Sequence, residues 1–353
     1  MYKRFIKPLL FCLPPERAHS FALGSLRGVL RFPFGKACLR SLFGVPKAMP
    51  TIELWDIPFK GYVGLAAGFD KRGVLLDDAD CLGFSFIEVG TVPPRPQPGN
   101  PQPRLFRLTE DRAFINRMGF NSPGVASVEK RLAKMRTHRI PILGNIGKNT
   151  ATDNLNAKED YLEVFSRLYP IVDLFVINVS CPNVKSLCDL QSADSLTALL
   201  EPIMQFRMQQ GFYRPILLKL GPDAPADTIG DVVRTAQELG IDAFVASNTT
   251  NSREHVKTSK AKLEEIGRGG LSGAPLFEQA LALVKNIRAN AAPSTPIIGV
   301  GGISNGKEAL AMLQAGASLV EIFTGFIYEG PKTARRINKY LLEHRDEIPN
   351  WLV

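Results

Sequence analysis

Short polar interruptions recur within otherwise apolar runs of this 353-residue chain: AAGFDK (66–71), NIGKN (145–149), NVSCPN (178–183), LKLG (218–221), SNTT (247–250), GVGG (299–302) and FTG (323–325). An asparagine amide both donates and accepts, so a group of them suits a ligand with an alternating polar edge. Lysines add positive charge. Glycines let backbone N–H groups approach a phosphate closely. Carboxylates are few in these segments, which points to a neutral-to-positive pocket for an anionic ligand. Metal chemistry is disfavoured, because His19, His138, His255 and His344 are scattered and Cys181 and Cys188 lack a second ligand pair. No nucleophile elbow of a Ser-His-Asp enzyme is present. A phosphate-bearing organic cofactor is then the natural carrier of the chemistry.

The elements that must position these residues follow one pattern. Apolar runs at 62–67, 84–90, 140–147, 174–180, 215–221, 243–249, 296–302 and 319–325 lack clean alternation, as parallel strands buried on both faces should. Each precedes a helical pattern, at 72–82, 123–137, 157–169, 194–210, 225–239, 275–290, 305–315 and 331–345. Eight strand–helix units predict an α/β fold, a (β/α)8 TIM barrel, and every polar interruption then lies at its C-terminal mouth. The GVGG and FTG loops fall after strands seven and eight, the usual phosphate site of such barrels, and GGLSG (269–273) adds a third glycine turn. The rival doubly wound sheet lacks a GxGxxG turn after its first strand. TIELWDIPFKG (51–61) reads as a hairpin closing the barrel floor, and the proline-rich stretch 91–121 as one long functional loop.

Composition fits a globular protein: 45% hydrophobic and 22% charged residues, with five sparse cysteines expected to be free thiols in a reducing compartment. Charge is unevenly placed. Residues 1–45 hold eight basic side chains against Glu16, which accounts for +7 of the net +9. Tyr2, Phe5, Ile6, Leu9, Leu10 and Leu13 make one helical stripe; after Pro14-Pro15, Ala18, Phe21, Ala22, Leu26, Val29 and Leu30 make another. Two amphipathic helices flanked by Lys and Arg predict an interfacial leader of residues 1–45 on a negatively charged membrane surface, ahead of a barrel of residues 46–353. Nucleic acid is the weaker partner, for want of stacking aromatics in a groove-like arrangement.

The ordered motifs AAGFDK, EVGTVPPRPQPGNPQPRLFRL, INRMGFNSPG, NIGKN, INVSCPN, LKLGPD, SNTT, GGLSG, IIGVGGI and IFTGFIYEGP resemble, over essentially the whole chain, those of the dihydroorotate dehydrogenase family. The leader with PERAH resembles its membrane-associated, quinone-linked class. The resemblance implies an FMN-binding (β/α)8 barrel that oxidises dihydroorotate to orotate in pyrimidine biosynthesis. It places Ala67, Gly68, Lys71, Thr91, Asn145, Asn178, Lys219, Ser247, Gly273, Gly302, Phe323 and Thr324 at the flavin. It places Lys71, Asn116, Arg117, Met118, Gly119, Phe120, Asn178, Asn183, Asn248 and Thr249 at orotate. Cys181 falls at the position of the base, where the quinone-linked class usually has serine and the soluble class cysteine. Phe323 stands where members with a quinone site often have tyrosine, and His19 and Arg107 match the remaining polar positions of that site. A monomer, peripheral on the cytoplasmic side of the cell membrane, is the expected form.

Two other readings remain at this stage. Cys181 also suits a soluble acceptor, fumarate or NAD. A catalytically silent barrel with its leader as a membrane adaptor is the reading from a different class; Cys181, Lys71 and the paired asparagines argue against it.

Overall fold

The computed structural model describes residues 2–135, 139–180 and 193–349. Eight parallel strands close into the expected barrel: β3 (Val63–Leu65), β4 (Phe86–Val92), β7 (Ile142–Ile146), β8 (Leu174–Asn178), β9 (Ile216–Leu220), β10 (Ala243–Ala246), β12 (Ile297–Val300) and β13 (Leu319–Ile322). All of their residues are buried, which is why they read as continuous apolar runs. Helices follow on the outside and turn one stripe inward. In Ala157–Leu168 the buried set is Ala157, Asp160, Tyr161, Val164, Phe165 and Leu168, a 3.6-residue period. Asn305 and Glu308 form a reciprocal capping box that starts Gly306–Gln314.

The strand ends stop two to three residues short of several predicted limits, because the polar motifs leave the ladder to form the mouth. The hairpin expected at the floor is present as β1 (Thr51–Leu54) and β2 (Ile57–Lys60). Residues 91–121 are not one irregular loop, as the sequence reading had it. They contain β5 (Leu105–Leu108) and β6 (Ala113–Asn116), which join β11 (Gly270–Gly273) in a three-stranded antiparallel sheet. Proline density hid these strands, since they directly follow the proline-rich stretch 93–103. Tyr328 anchors the hairpin, its hydroxyl donating to Leu108 O at 3.2 Å and to Ala113 O at 3.1 Å.

The N-terminal extension has three helices rather than the two expected. A wide helical turn over Tyr2–Ile6 runs into α1 (Lys7–Phe11), followed by α2 (Pro15–Arg31) and α3 (Gly35–Phe43). The third went unread because its short apolar face, between Gly35 and Gly44, sits past the Phe-Pro-Phe break. Ala18 and Leu30 are buried and Leu23 and Leu26 pack against the barrel core, whereas Phe5, Leu9, Phe21, Phe32 and Phe34 are exposed. No helix among the described residues is long and apolar enough to cross a membrane.

Candidate active site

A cavity of about 1020 Å³ opens at the C-terminal end of the barrel and continues outward beneath α1 and α2. Nearly every predicted site residue borders it. At the barrel end stand Lys71, Thr91, Asn178, Lys219, Ser247 and Asn248, with Ala67, Gly68 and Thr249 beside them. At one side lie Gly273, Gly302, Phe323 and Thr324; across from them come Asn116, Met118, Gly119 and Phe120. His19 and Arg107 line the outer part under the helices. Cys181 and Asn183 lie outside the described residues.

Two predicted residues sit elsewhere. Asn145 is fully buried behind the lining, its amide donating to Glu88 Oε1 at 2.6 Å and its carbonyl accepting from Asn178 at 3.3 Å. It positions others instead of facing the cavity. Arg117 turns outward, stacks on Phe106 at 4.5 Å and donates to Ile266 O and Arg268 O. There it borders a separate, open pocket of about 840 Å³ with Arg253, Lys260 and Arg268. The neighbouring Arg253 likewise gives its guanidinium to backbone carbonyls, those of Thr250, Asn251, Ser252 and Gly269.

An amide network joins the strand ends. Asn178 donates to Thr91 Oγ1 at 3.0 Å, and its carbonyl accepts from Asn248 at 3.3 Å. Asn248 also donates to Ser180 Oγ at 3.1 Å and accepts from Thr249 N at 2.8 Å. Tyr161 holds the Asn178 backbone from behind, at 2.7 Å. Buried polar groups of this kind are fixed by one another, so their free edges are aimed before any ligand arrives. The Lys71 ammonium is held by Asn121 Oδ1 on the segment that follows β6.

Beneath this network lie two carboxylates that the sequence reading missed. Glu88 and Glu321 are both fully buried. Lys219 Nζ sits 2.8 Å from Glu88 Oε2 and 4.0 Å from Glu321 Oε2. Burial works against ionisation of Glu88, but Lys219, the Asn145 amide and the Ala67 N–H together hold its carboxyl below the ordinary range. Glu321 moves well upward, first through burial and then through the neighbouring Glu88, with Lys219 opposing. The available signal was a lone Glu inside each apolar strand run, FIEVG and LVEIF.

In the outer part, His19 meets Phe69 edge-on at 4.9 Å, and Phe69 in turn packs on Phe323 at 5.6 Å and Phe326 at 5.5 Å. Burial, then the charge of Lys71, pushes the His19 imidazole down from its usual range. Arg107 donates to Phe11 O at 2.9 Å and lies over the Phe11 ring, so it caps the end of α1. Polar contacts are thus sparse between His19 and Arg107, and aromatic and aliphatic surface dominates.

The donor set suits a flavin mononucleotide. One end of the cavity offers the Lys219 ammonium and the Asn178 amide to a polar ring edge. The other offers glycine backbones, with the Ser272 and Thr324 hydroxyls 2.9 Å apart. The glycines are needed there. Gly302 has φ +72, and a Cβ would lie 2.6 Å from Phe277 Cβ; Gly273 has φ +103, and a Cβ would lie 2.4 Å from Arg112 O.

Comparison with known proteins agrees with this arrangement. The profile of the family described as dihydroorotate dehydrogenase matches residues 49–344. A dihydroorotate dehydrogenase (quinone) of Christiangramia forsetii is 45% identical over 343 residues, covering 97% of this chain and 99% of that protein. One of Roseiflexus castenholzii is 42% identical, covering 97% and 92%. A crystal structure of the Eimeria tenella DHODH in complex with ferulenol superposes with a TM-score of 0.83 at 32% identity, covering 96% of this chain and 94% of that one. The chain belongs to the dihydroorotate dehydrogenase family.

Proposed function

We propose that the protein oxidises dihydroorotate to orotate, with FMN in the barrel mouth and a membrane quinone as electron acceptor. The observation that carries this reading is the continuity of one cavity from the Lys219–Asn178 network to the aromatic space under α1 and α2. Relatives named as quinone-linked, matching almost end to end, support the choice of acceptor. When bound, FMN supplies the acceptor for the hydride leaving C6 of dihydroorotate.

The chain's own residues supply the rest. Cys181 takes the C5 proton as base; a thiol ionises nearer neutrality than a hydroxyl, and a nearby cation lowers it further. Lys71, held by Asn121, faces the substrate carboxylate. Asn116, Asn178, Asn183 and Asn248 meet the ring edge, each able to donate and accept. Lys219 brings positive charge to the cavity floor, where negative charge builds during oxidation. Gly273, Gly302 and Thr324 hold the phosphate. Arg117 is not assigned to the substrate, because its guanidinium is committed to Ile266 O and Arg268 O.

The extension is the membrane side of the enzyme. Its exposed Phe5, Leu9, Phe21, Phe32 and Phe34 enter the acyl boundary, and Arg4, Arg17, Arg27 and Arg31 meet anionic headgroups on the cytoplasmic face. Quinone then enters between α1 and α2 and reaches His19 and Phe323. An acceptor panel tests this: a soluble ubiquinone analogue, a menaquinone analogue, fumarate and NAD, each offered to detergent-purified enzyme with dihydroorotate. Turnover with a quinone alone is expected. Turnover only with fumarate or NAD overturns the acceptor assignment, and a purified protein without flavin absorbance overturns the reading as a whole.

A further inference from the structure

Three strands on different sides of the barrel send one charged residue each to the same point. Glu88 comes from β4, Lys219 from β9 and Glu321 from β13. The two carboxyls differ in how they are satisfied. Glu88 accepts from Lys219 at 2.8 Å, from the Ala67 N–H at 2.9 Å and from the Asn145 amide at 2.6 Å. Both Glu321 oxygens are buried with no hydrogen-bond partner, and the side chain borders the cavity. The strands on either side of β13, Ile297–Val300 and Val63–Leu65, carry no titratable side chain. The only charged groups facing Glu321 among the described residues are therefore Glu88 and Lys219.

Two ionised carboxylates against one ammonium would leave a net negative charge on side chains that are fully buried. An unpaired buried carboxylate is among the most costly arrangements a protein interior can hold, and neutralisation is the ordinary escape. One added proton balances the set. The better-satisfied Glu88 keeps its charge, so the proton belongs on Glu321.

We propose that Glu321 is a neutral carboxylic acid at physiological pH, which makes the Glu88–Lys219–Glu321 set electroneutral and keeps negative charge away from the flavin ring edge. The second half rests on the flavin reading of the cavity; the first does not. In this form Glu321 has an O–H to offer Glu88, and Lys219 is shared with one anion instead of two. Glu321 is a positioning residue: it acts on the cofactor through the charge left on Lys219.

Infrared spectroscopy of the purified protein, with and without flavin, reads the proton directly. A carbonyl stretch of a protonated acid is expected at pH 7. It should shift on 13C-glutamate labelling and be absent from Glu321→Gln. A folded protein without that band overturns the proposal. In Glu88→Gln the set has one carboxylate and one ammonium, so Glu321 should ionise and the band should vanish; a band that persists contradicts the charge-balance argument. In the flavin-loaded protein, Glu321→Gln replaces one neutral group by another, so the flavin midpoint potential at pH 7 should stay where the wild type has it. A potential raised by Glu321→Gln means that a negative charge was removed, and the proposal fails. Should Glu321→Gln not fold, the label-dependent band in the wild type decides. A protein that shows the band yet takes up no flavin refutes the proposed function and leaves the proton on Glu321.

Discussion

Glu16 on α2 and Arg104 in the proline-rich connection form a two-point ion pair, Nε to Oε1 at 2.9 Å and Nη2 to Oε2 at 3.2 Å. Arg104 also donates to Pro98 O at 2.6 Å and Asn100 O at 2.9 Å. Asn100 reaches on to Arg117 O and Met118 O, in the segment directly after β6, where Asn116 and Met118 line the cavity. One chain of contacts therefore runs from α2 to the side of the cavity lined by Asn116 and Met118.

Replacing Arg104 with Met tests that link. The change keeps the aliphatic stem but leaves two backbone carbonyls without this donor and Glu16 without its ion-pair partner, with the Gln102 amide still donating to it at 3.1 Å. Stability should fall by about 2–3 kcal/mol. The Michaelis constant for dihydroorotate should rise several-fold, with a smaller effect on the maximal rate, because binding geometry is disturbed and the chemistry is not. Steady-state kinetics beside thermal melting would separate the two effects. An unchanged Michaelis constant in a destabilised protein would make the pair purely structural.

Lys219 Nζ pairs with the buried Glu88 carboxylate at 2.8 Å. Lys219→Met leaves that buried carboxylate unbalanced, a change that costs about 3–5 kcal/mol when a partner of a buried pair is removed. Glu88→Gln with Lys219→Met should recover part of the loss. A chemical-denaturation cycle over the four proteins measures the coupling, and additive losses would deny the pairing.

The same carboxyls give the stability curve opposite slopes. Glu88 is held below its unfolded value, so its contribution is present above the unfolded carboxylate range and disappears as pH falls through the folded value. Glu321 is held above its unfolded value, so its contribution is full below that range and is lost as pH rises toward the folded value. Each pH unit in that window costs the wild type about 1.4 kcal/mol relative to Glu321→Gln. Denaturation at a series of pH values should therefore show Glu321→Gln gaining on the wild type from pH 5 upward. A difference independent of pH would contradict the assignment.

Gly302 has no room for a side chain: its φ is +72, and a Cβ would crowd the Phe277 backbone at 2.7 Å. Gly302→Ala should displace the phosphate-holding turn and weaken flavin retention at least tenfold, which fluorescence of released flavin on dilution would show. Tight retention in a folded variant would remove this turn from the flavin site.

On the N-terminal extension, Phe5 and Phe21 are 58% and 61% exposed. The double change to Ser removes little packing, so melting should move by no more than about 0.5 kcal/mol per site. Flotation with anionic vesicles should drop sharply, and turnover with a water-soluble quinone analogue should persist. Vesicle binding equal to wild type would place the contact elsewhere.

Much of this architecture was legible because buried parallel strands have a plain signature. The runs leading to Asn178 and Lys219 are apolar until the polar residue that lines the mouth, and barrel topology brings those ends together. The charge bias of residues 1–45 and the helical stripes gave the extension its character. What stayed hidden was local or relational. Strand Leu105–Leu108 pairs with Ala113–Asn116, which is held in turn by distant Gly270–Gly273, a pairing no local pattern announces. Glu88 and Glu321 lie 233 positions apart, and their meeting depends on the way the barrel closes. Arg117 sits within INRMGFNSPG beside cavity-lining residues, but strand alternation sends its side chain to the opposite face.

The most direct test of the central claim is an anaerobic titration of the flavin-loaded protein with dihydroorotate, followed by its visible spectrum. The account predicts stoichiometric bleaching in the wild type and recovery of the oxidised spectrum on adding a quinone. It predicts bound but unbleached flavin in Cys181→Ala at neutral pH. Bleaching of Cys181→Ala at the wild-type rate would remove the thiol from the reaction, and failure of dihydroorotate to bleach the wild type would contradict the account at its root.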